Sequence, residues 1–185
     1  MTRRGIVKLS MLIVFLLIPG WFCAQSKLNL DKGMLYNFST QGAAGFLVDE
    51  QVLAGDPATG QGGNCLTVFS PGWVYAEIYY PAMVVLDLGR SHILHALWFY
   101  DVNDCDTLNI YTGDPSSWTL KARVVLDRYN EWRNIALQDT SRFIMLKYRS
   151  PAVRIAEIVL YGLPLGSYPP PLVPVAHPRP RMDQF

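Results

Sequence analysis

Apolar residues in the middle of this chain arrive in short blocks separated by turn residues, and almost none of the blocks repeats with a helical period. Phe46–Leu53 (FLVDEQVL) runs into Ala54-Gly55-Asp56-Pro57, and the glycine-rich TGQGGN at 59–64 has no period and reads as loop. Met83–Leu88 (MVVLDL) is β-branched and apolar, and Gly89 ends it. Ile93–Tyr100 (ILHALWFY) is apolar on both faces, which suits a strand buried inside a sandwich, and DVNDCD at 101–106 then turns the chain. Leu108–Tyr111 alternates and Thr112-Gly113-Asp114-Pro115 is a turn. Trp118–Val125, Trp132–Leu137, Phe143–Tyr148 and Ile155–Tyr161 read as four more short strands. Seven or eight short strands with Gly/Pro turns predict an all-β, antiparallel sandwich or barrel. Period-2 alternation puts Leu108 and Ile110, Ile144 and Leu146, and Ile158 and Leu160 on inward faces.

The two ends depart from this pattern. Arg3, Arg4 and Lys8 form a positive region ahead of the predominantly apolar Leu9–Ile18, which is too short to span a bilayer comfortably. Pro19-Gly20 follows, and Ala24 offers a small residue for cleavage, so residues 1–24 read as a secretory signal peptide. Bulky Trp21 and Phe22 before Cys23 argue against a lipidated cysteine. Residues 25–44 read as a lead-in, 45–162 as the sandwich, and 163–185 as a Pro-rich linker or tail. Proline segments of that kind adopt extended polyproline II and hold modules apart, so the tail points to a downstream domain, catalytic in kind, or to a short disordered end.

Secretion changes the charge and the cysteine arithmetic. Losing residues 1–24 takes Arg3, Arg4 and Lys8 from the sixteen basic residues and none of the fifteen acids, which leaves a net charge of −2. That balance offers no basic patch for nucleic acid. Cys65 and Cys105 remain and would meet an oxidising environment, where they either pair or stay as separate loop thiols. Asn37-Phe38-Ser39 is a glycosylation sequon, meaningful only in a eukaryotic secretory route.

In their order and spacing, LVDEQ, AGDPATG, YYPAMVVLDLG, LWFYDVN, LNIYTGDPSSW, SRFIMLKY and AEIVLYG resemble the discoidin or coagulation factor 5/8 type C family. The resemblance runs from about Gly45 to Gly162 and is most specific at Asp87-Leu88-Gly89 and at Glu157–Gly162. The chain departs from that family in its Gly-rich insertion at 60–64 and in having no tryptophan just after Thr59. The fold implied is an antiparallel jelly-roll β-sandwich of the galactose-binding-like kind. Members often hold a structural calcium ion between the first loop and the last strand, and calcium takes six to eight hard oxygens. Carried over by position, Asp49 or Asp56 would supply a side chain, Thr59 a carbonyl or hydroxyl, and Glu157 a carboxylate; the alternative is that these acids cap turns or face solvent. The acids of 101–106 read as a polar turn, lacking the glycine and distal glutamate of an EF-hand loop.

Sugar-binding members present loops at one end of the barrel, where aromatic rings stack on a sugar face and polar groups grip its hydroxyls. The resemblance places Trp73, Tyr75 and Tyr79, then Asp101, Asn103 and Asp104, and finally Trp118, as carbohydrate-contact candidates. Trp73 is equally readable as a lid on the core. Trp98 and Trp132 read as packing residues, and His92 and His95 as satisfied or surface histidines. Hydrolase elbows, zinc-protease helices, Walker loops and Rossmann glycines are missing from the sequence. Adjacent acids such as Asp49-Glu50 point to opposite faces of a strand and cannot flank one glycosidic bond. The expectation is therefore a secreted or cell-surface, non-catalytic module whose partner is a glycan, attached to a larger glycan-acting protein. An adhesion, protein-interaction or spacer module without a sugar ligand is the alternative. Val68 and Phe69 lack basic neighbours, which disfavours membrane insertion.

Overall fold

A computed structural model describes residues 26–38, 44–70, 82–102, 106–148 and 154–166 of the 185-residue chain. The leader, the tail beyond 166, and Trp73, Tyr75, Tyr79, Asn103, Asp104 and Cys105 lie outside the described residues. Eight strands are described: β1 (Leu35–Phe38), β2 (Gly55–Asp56), β3 (Gln61–Gly62), β4 (Ala82–Val102), β5 (Thr107–Asp114), β6 (Ser117–Val125), β7 (Tyr129–Tyr148) and β8 (Ile155–Pro164).

Every strand pairing is antiparallel. The first half of β4 and the second half of β7 lie side by side between β1 and the β5–β6 hairpin, giving one layer in the order β1-β4-β7-β5-β6. The second half of β4 pairs with the first half of β7 on one side and with β8 on the other, giving a three-stranded layer. Inward residues of both layers, among them Val84, Leu86, Leu97, Phe99, Ile110, Ile144, Leu146, Ile158 and Leu160, fuse into one buried cluster. All six residues expected inward from alternation belong to it. The product is an all-β antiparallel sandwich.

The blocks read as separate strands 83–88 and 93–100 are one strand, as are 132–137 and 143–148. Irregularities carry each across the bend. The partners jump from Asp87↔Phe143 to His92↔Ser141, so four residues of β4 oppose one of β7, and Gly89 sits there at φ 73°. Glycine tolerates that left-handed conformation, so the residue that reads as a stop serves as a bulge. The next jump, Leu94↔Asp139 to Ala96↔Ala136, leaves an extra residue in β7, and Gln138 takes φ 44°. Against β8 the partners step from Leu94↔Gly162 to Ala96↔Tyr161, which leaves His95 extra in β4 and reverses its side-chain parity: Leu94 faces the core, and beyond it Leu97 and Phe99 do so while Trp98 and Tyr100 face outward.

That outward face is not wet. Tyr100, Val159 and Tyr161 form a second buried cluster with Ala54 and Cys65 from the 54–65 segment, and Trp98 and Trp132 pack against it. The Trp132 indole N–H donates to the Gly63 carbonyl at 2.9 Å, and its ring meets Tyr100 edge-on at 5.2 Å. The two-sided hydrophobicity of 93–100 thus has two cores to satisfy. Phe46–Leu53 forms no strand; it opens on a 3-10 turn, Ala44–Leu47, and continues as turns through Ala54. The lead-in is part of the sandwich: Leu35–Phe38 adds the edge strand β1, and Lys27 bridges to Tyr161.

Candidate functional site

Two features stand apart from ordinary packing: the loop at 49–55 against the last strand, and a hollow on the outer face of the five-stranded layer.

The loop is held from both sides. Glu157 on β8 is fully buried, and its carboxylate accepts from the Glu50 backbone N–H at 3.0 Å and from the Gln51 side-chain amide, which also donates to the Ile158 carbonyl at 2.6 Å. The Glu50 carboxylate accepts from the backbone N–H groups of Leu66 and Thr67 at 2.7 and 3.0 Å. Carboxylate oxygens of Asp49, Glu50 and Glu157 lie within 4.8 Å of one another. Burial pushes the Glu157 carboxyl up to about 8, outweighing the Gln51 and Glu50 hydrogen bonds that favour its ionised form. Asp49 is raised as well, by burial and then by the charge of Glu50. Cys105 lies outside the described residues, and Cys65 itself is buried. Burial, followed by the charges of Glu157, Glu50 and Asp49, pushes its thiol up to about 12.

The calcium set carried over from the family resemblance is only half assembled. Asp49 and Glu157 come together with Glu50, which sequence reasoning missed, although its place beside Asp49 in a turn was a usable signal. Asp56 and Thr59 belong to a different network. The Asp56 carboxylate accepts from the Tyr161 hydroxyl, that hydroxyl accepts from the Ala58 N–H at 3.3 Å, and the Thr59 hydroxyl donates to the Asp56 carbonyl at 3.1 Å. The Gln51 and Gly55 carbonyls are taken by the Lys27 ammonium at 2.7 and 2.6 Å. With Thr59 and the alternative ligand Asp56 turned away, and two loop carbonyls engaged by a cation of the chain's own, the carried-over residues do not assemble around one calcium ion.

The hollow has a volume of about 390 Å³ and is lined by Tyr36 from β1, Met83, Val85 and Asp87 from β4, Phe143 and Met145 from β7, and Pro115 and Trp118 from the β5–β6 hairpin. Sheet register makes it. Tyr36, Val85 and Met145 form one cross-strand row, and Asp87, Phe143, Gly113 and Trp118 the next, with no side chain at Gly113 between the two rings. At its end, Arg142 grips Asp87 with two parallel bonds of 2.6 and 2.8 Å and lies over the Phe143 ring at 4.8 Å. The Arg142 hydrogen bonds hold the Asp87 carboxyl below the usual carboxylate range. Among the described residues, Trp118, half-buried, is the proposed sugar contact that lies on such a surface.

Asp101, also proposed as a sugar contact, is fully buried. It accepts from the Arg133 guanidinium at 3.2 Å and the Arg128 N–H at 3.3 Å, and the same Arg133 nitrogen reaches the Val125 carbonyl and Asp127. It ties the end of β4 to the start of β7, out of a ligand's reach. The sequence reading missed this because it took the whole block DVNDCD at 101–106 as a polar turn.

No protein-family model matches the chain, and no curated protein matches it in sequence. Solved structures do. The C-terminal domain of a chitobiase from Bacteroides fragilis is similar over 76% of this chain and 99% of that one, at 15% identity and TM-score 0.55. The family 32 carbohydrate-binding module of Clostridium perfringens NanJ, in complex with galactose, covers 74% of this chain and 98% of its own, at 12% identity and TM-score 0.52. A second C. perfringens module, CpGH89CBM32-5 in complex with GalNAc-β-1,3-galactose, covers 74% and 99%, at 12% identity and TM-score 0.51. The chain therefore has the galactose-binding-like, discoidin-like β-sandwich fold of family 32 carbohydrate-binding modules.

Proposed function

We propose that this chain is a non-catalytic carbohydrate-binding module, the targeting part of a larger secreted or cell-surface glycan-acting protein. The observation that carries the reading is the fold shared with modules solved in complex with galactose and with GalNAc-β-1,3-galactose. Tethering raises an enzyme's effective concentration at its substrate, so a weak sugar site suffices for such a role. The hollow adds chemistry of the right kind, since aromatic rings give stacking area and the Asp87–Arg142 pair offers fixed polar atoms for hydroxyls.

The test is a glycan array probed with the full chain beside Trp118→Ala and Trp73→Ala. Binding weakened at least about tenfold by Trp118→Ala, the loss of one stacked ring, places the sugar on the sheet face. Loss only with Trp73→Ala moves it to the 71–81 segment. An array with no binding at all refutes the reading. One feature favours the alternative of an adhesion module: of the eight residues that line the hollow, only Asp87 is charged, which also suits an apolar partner surface.

A further inference from the structure

Lys27 comes from the lead-in, and its position is fixed by the last strand. The Leu28 N–H donates to the Leu160 carbonyl at 2.8 Å, the Gly162 N–H to the Ser26 carbonyl at 3.0 Å, and the Ser26 hydroxyl to the Gly162 carbonyl at 2.8 Å. From this anchored backbone the half-buried side chain reaches across to the first loop and gives charge-assisted bonds to the Gln51 and Gly55 carbonyls. The loop also closes on itself, with the Ala54 N–H donating to the Glu50 carbonyl at 2.8 Å and the Gly55 N–H to Val52 at 3.3 Å. Ala54, fully buried between the two engaged carbonyls, brings no side-chain oxygen.

We propose that the Lys27 ammonium is the resident cation of the first loop, in place of the calcium ion that the family resemblance implies for it, so that the loop keeps its shape with no metal bound. Three observations carry this. An ammonium has three donors, and two oxygens at 2.6 and 2.7 Å suit it, whereas calcium asks for six to eight ligands. A calcium ion bound to those carbonyls at the usual ~2.4 Å would overlap the lysine nitrogen, so the two exclude each other. Thr59 and Asp56, the latter carried over as the alternative to Asp49, are spent on a local turn and on Tyr161.

The test uses the full chain, with metal analysis of the purified protein and thermal unfolding in chelator and in millimolar calcium. The wild type is expected to carry no stoichiometric metal and to melt at the same temperature in both. Lys27→Met, which keeps the stem and removes the charge, is expected to melt lower by about 5 °C, the effect of losing two charge-assisted hydrogen bonds in a domain this size. Calcium raising the midpoint of Lys27→Met but not of the wild type would support the proposal, since lysine and ion would then compete for one place. One calcium per wild-type chain, a wild-type midpoint that falls on chelation, or a Lys27→Met midpoint equal to the wild type's would each overturn it. If Lys27→Met does not fold, the wild-type metal analysis and chelation scan decide alone.

Discussion

Glu157 makes the stability of this protein depend on pH in a direction opposite to most carboxylates. Its ordinary value is 4.5, and burial pushes it up to about 8 in the folded chain. Between those values the folded state holds a proton that the unfolded state has released. Stability from this group is therefore complete below the unfolded value and is lost as pH rises through the folded one. The difference corresponds to on the order of 4 kcal/mol, against a total of roughly 5–15 kcal/mol for a domain. Interaction with Asp49 and Glu50 spreads the loss over a broad range. Urea unfolding followed by tryptophan fluorescence, from about pH 5 to about pH 8.5, should show the midpoint falling steadily at constant slope. Glu157→Gln keeps the volume and an acceptor for the Glu50 N–H but cannot ionise, so its midpoint should be nearly flat and should exceed the wild type's at the alkaline end. A flat wild-type profile, or the same fall in Glu157→Gln, would refute the reasoning. A metal ion on this carboxylate would hold it ionised and remove the fall, so the profile also bears on the role given to Lys27.

Three further outcomes can be measured from urea midpoints. Arg133→Met strips the guanidinium from the fully buried Asp101 and should cost about 3 kcal/mol, the usual result of breaking a buried ion pair from one side. Gly162→Ala should cost about 1–3 kcal/mol, because its new methyl would lie 2.6 Å from the Ile93 carbonyl oxygen where β8 and β4 pair. Gln138→Gly, at an exposed position with φ 44°, should be neutral or stabilising by up to about 1 kcal/mol, whereas glycine in an ordinary strand position weakens it.

The fold was legible where the core face is marked by local alternation. The alternation in 108–111, 143–148 and 155–161 assigns Leu108, Ile110, Ile144, Leu146, Ile158 and Leu160 to the core because period 2 is a property of the backbone itself. Strand continuity was not legible, because Gly89 serves equally well as a stop and as a bulge, and only the partner strand decides which. Phe46–Leu53 misled for a related reason: Leu47 and Val48 are buried, but by a 3-10 turn docked on the sandwich rather than by a sheet. Site residues were harder still. Asp49 and Glu157 could be paired through a family pattern, yet Lys27 lies 24 residues before the loop that it clasps, and nothing in its neighbours Ser26 and Leu28 marks that contact. Asp101 reads as a surface acid until Arg133, 32 positions away, is brought against it.

β4 and β7 each belong to both layers, so the two halves of this sandwich share covalent backbone as well as a core. Neither layer can peel away as a separate unit, and an opening that starts at one sheet must travel along the same two chains into the other. The hollow on the five-stranded face and the clasped loop beside the three-stranded one are thus fastened to a common pair of beams. Strain applied at either end has a direct mechanical route to the other, and any fragment cut to keep one face would inherit both long strands with half their partners missing.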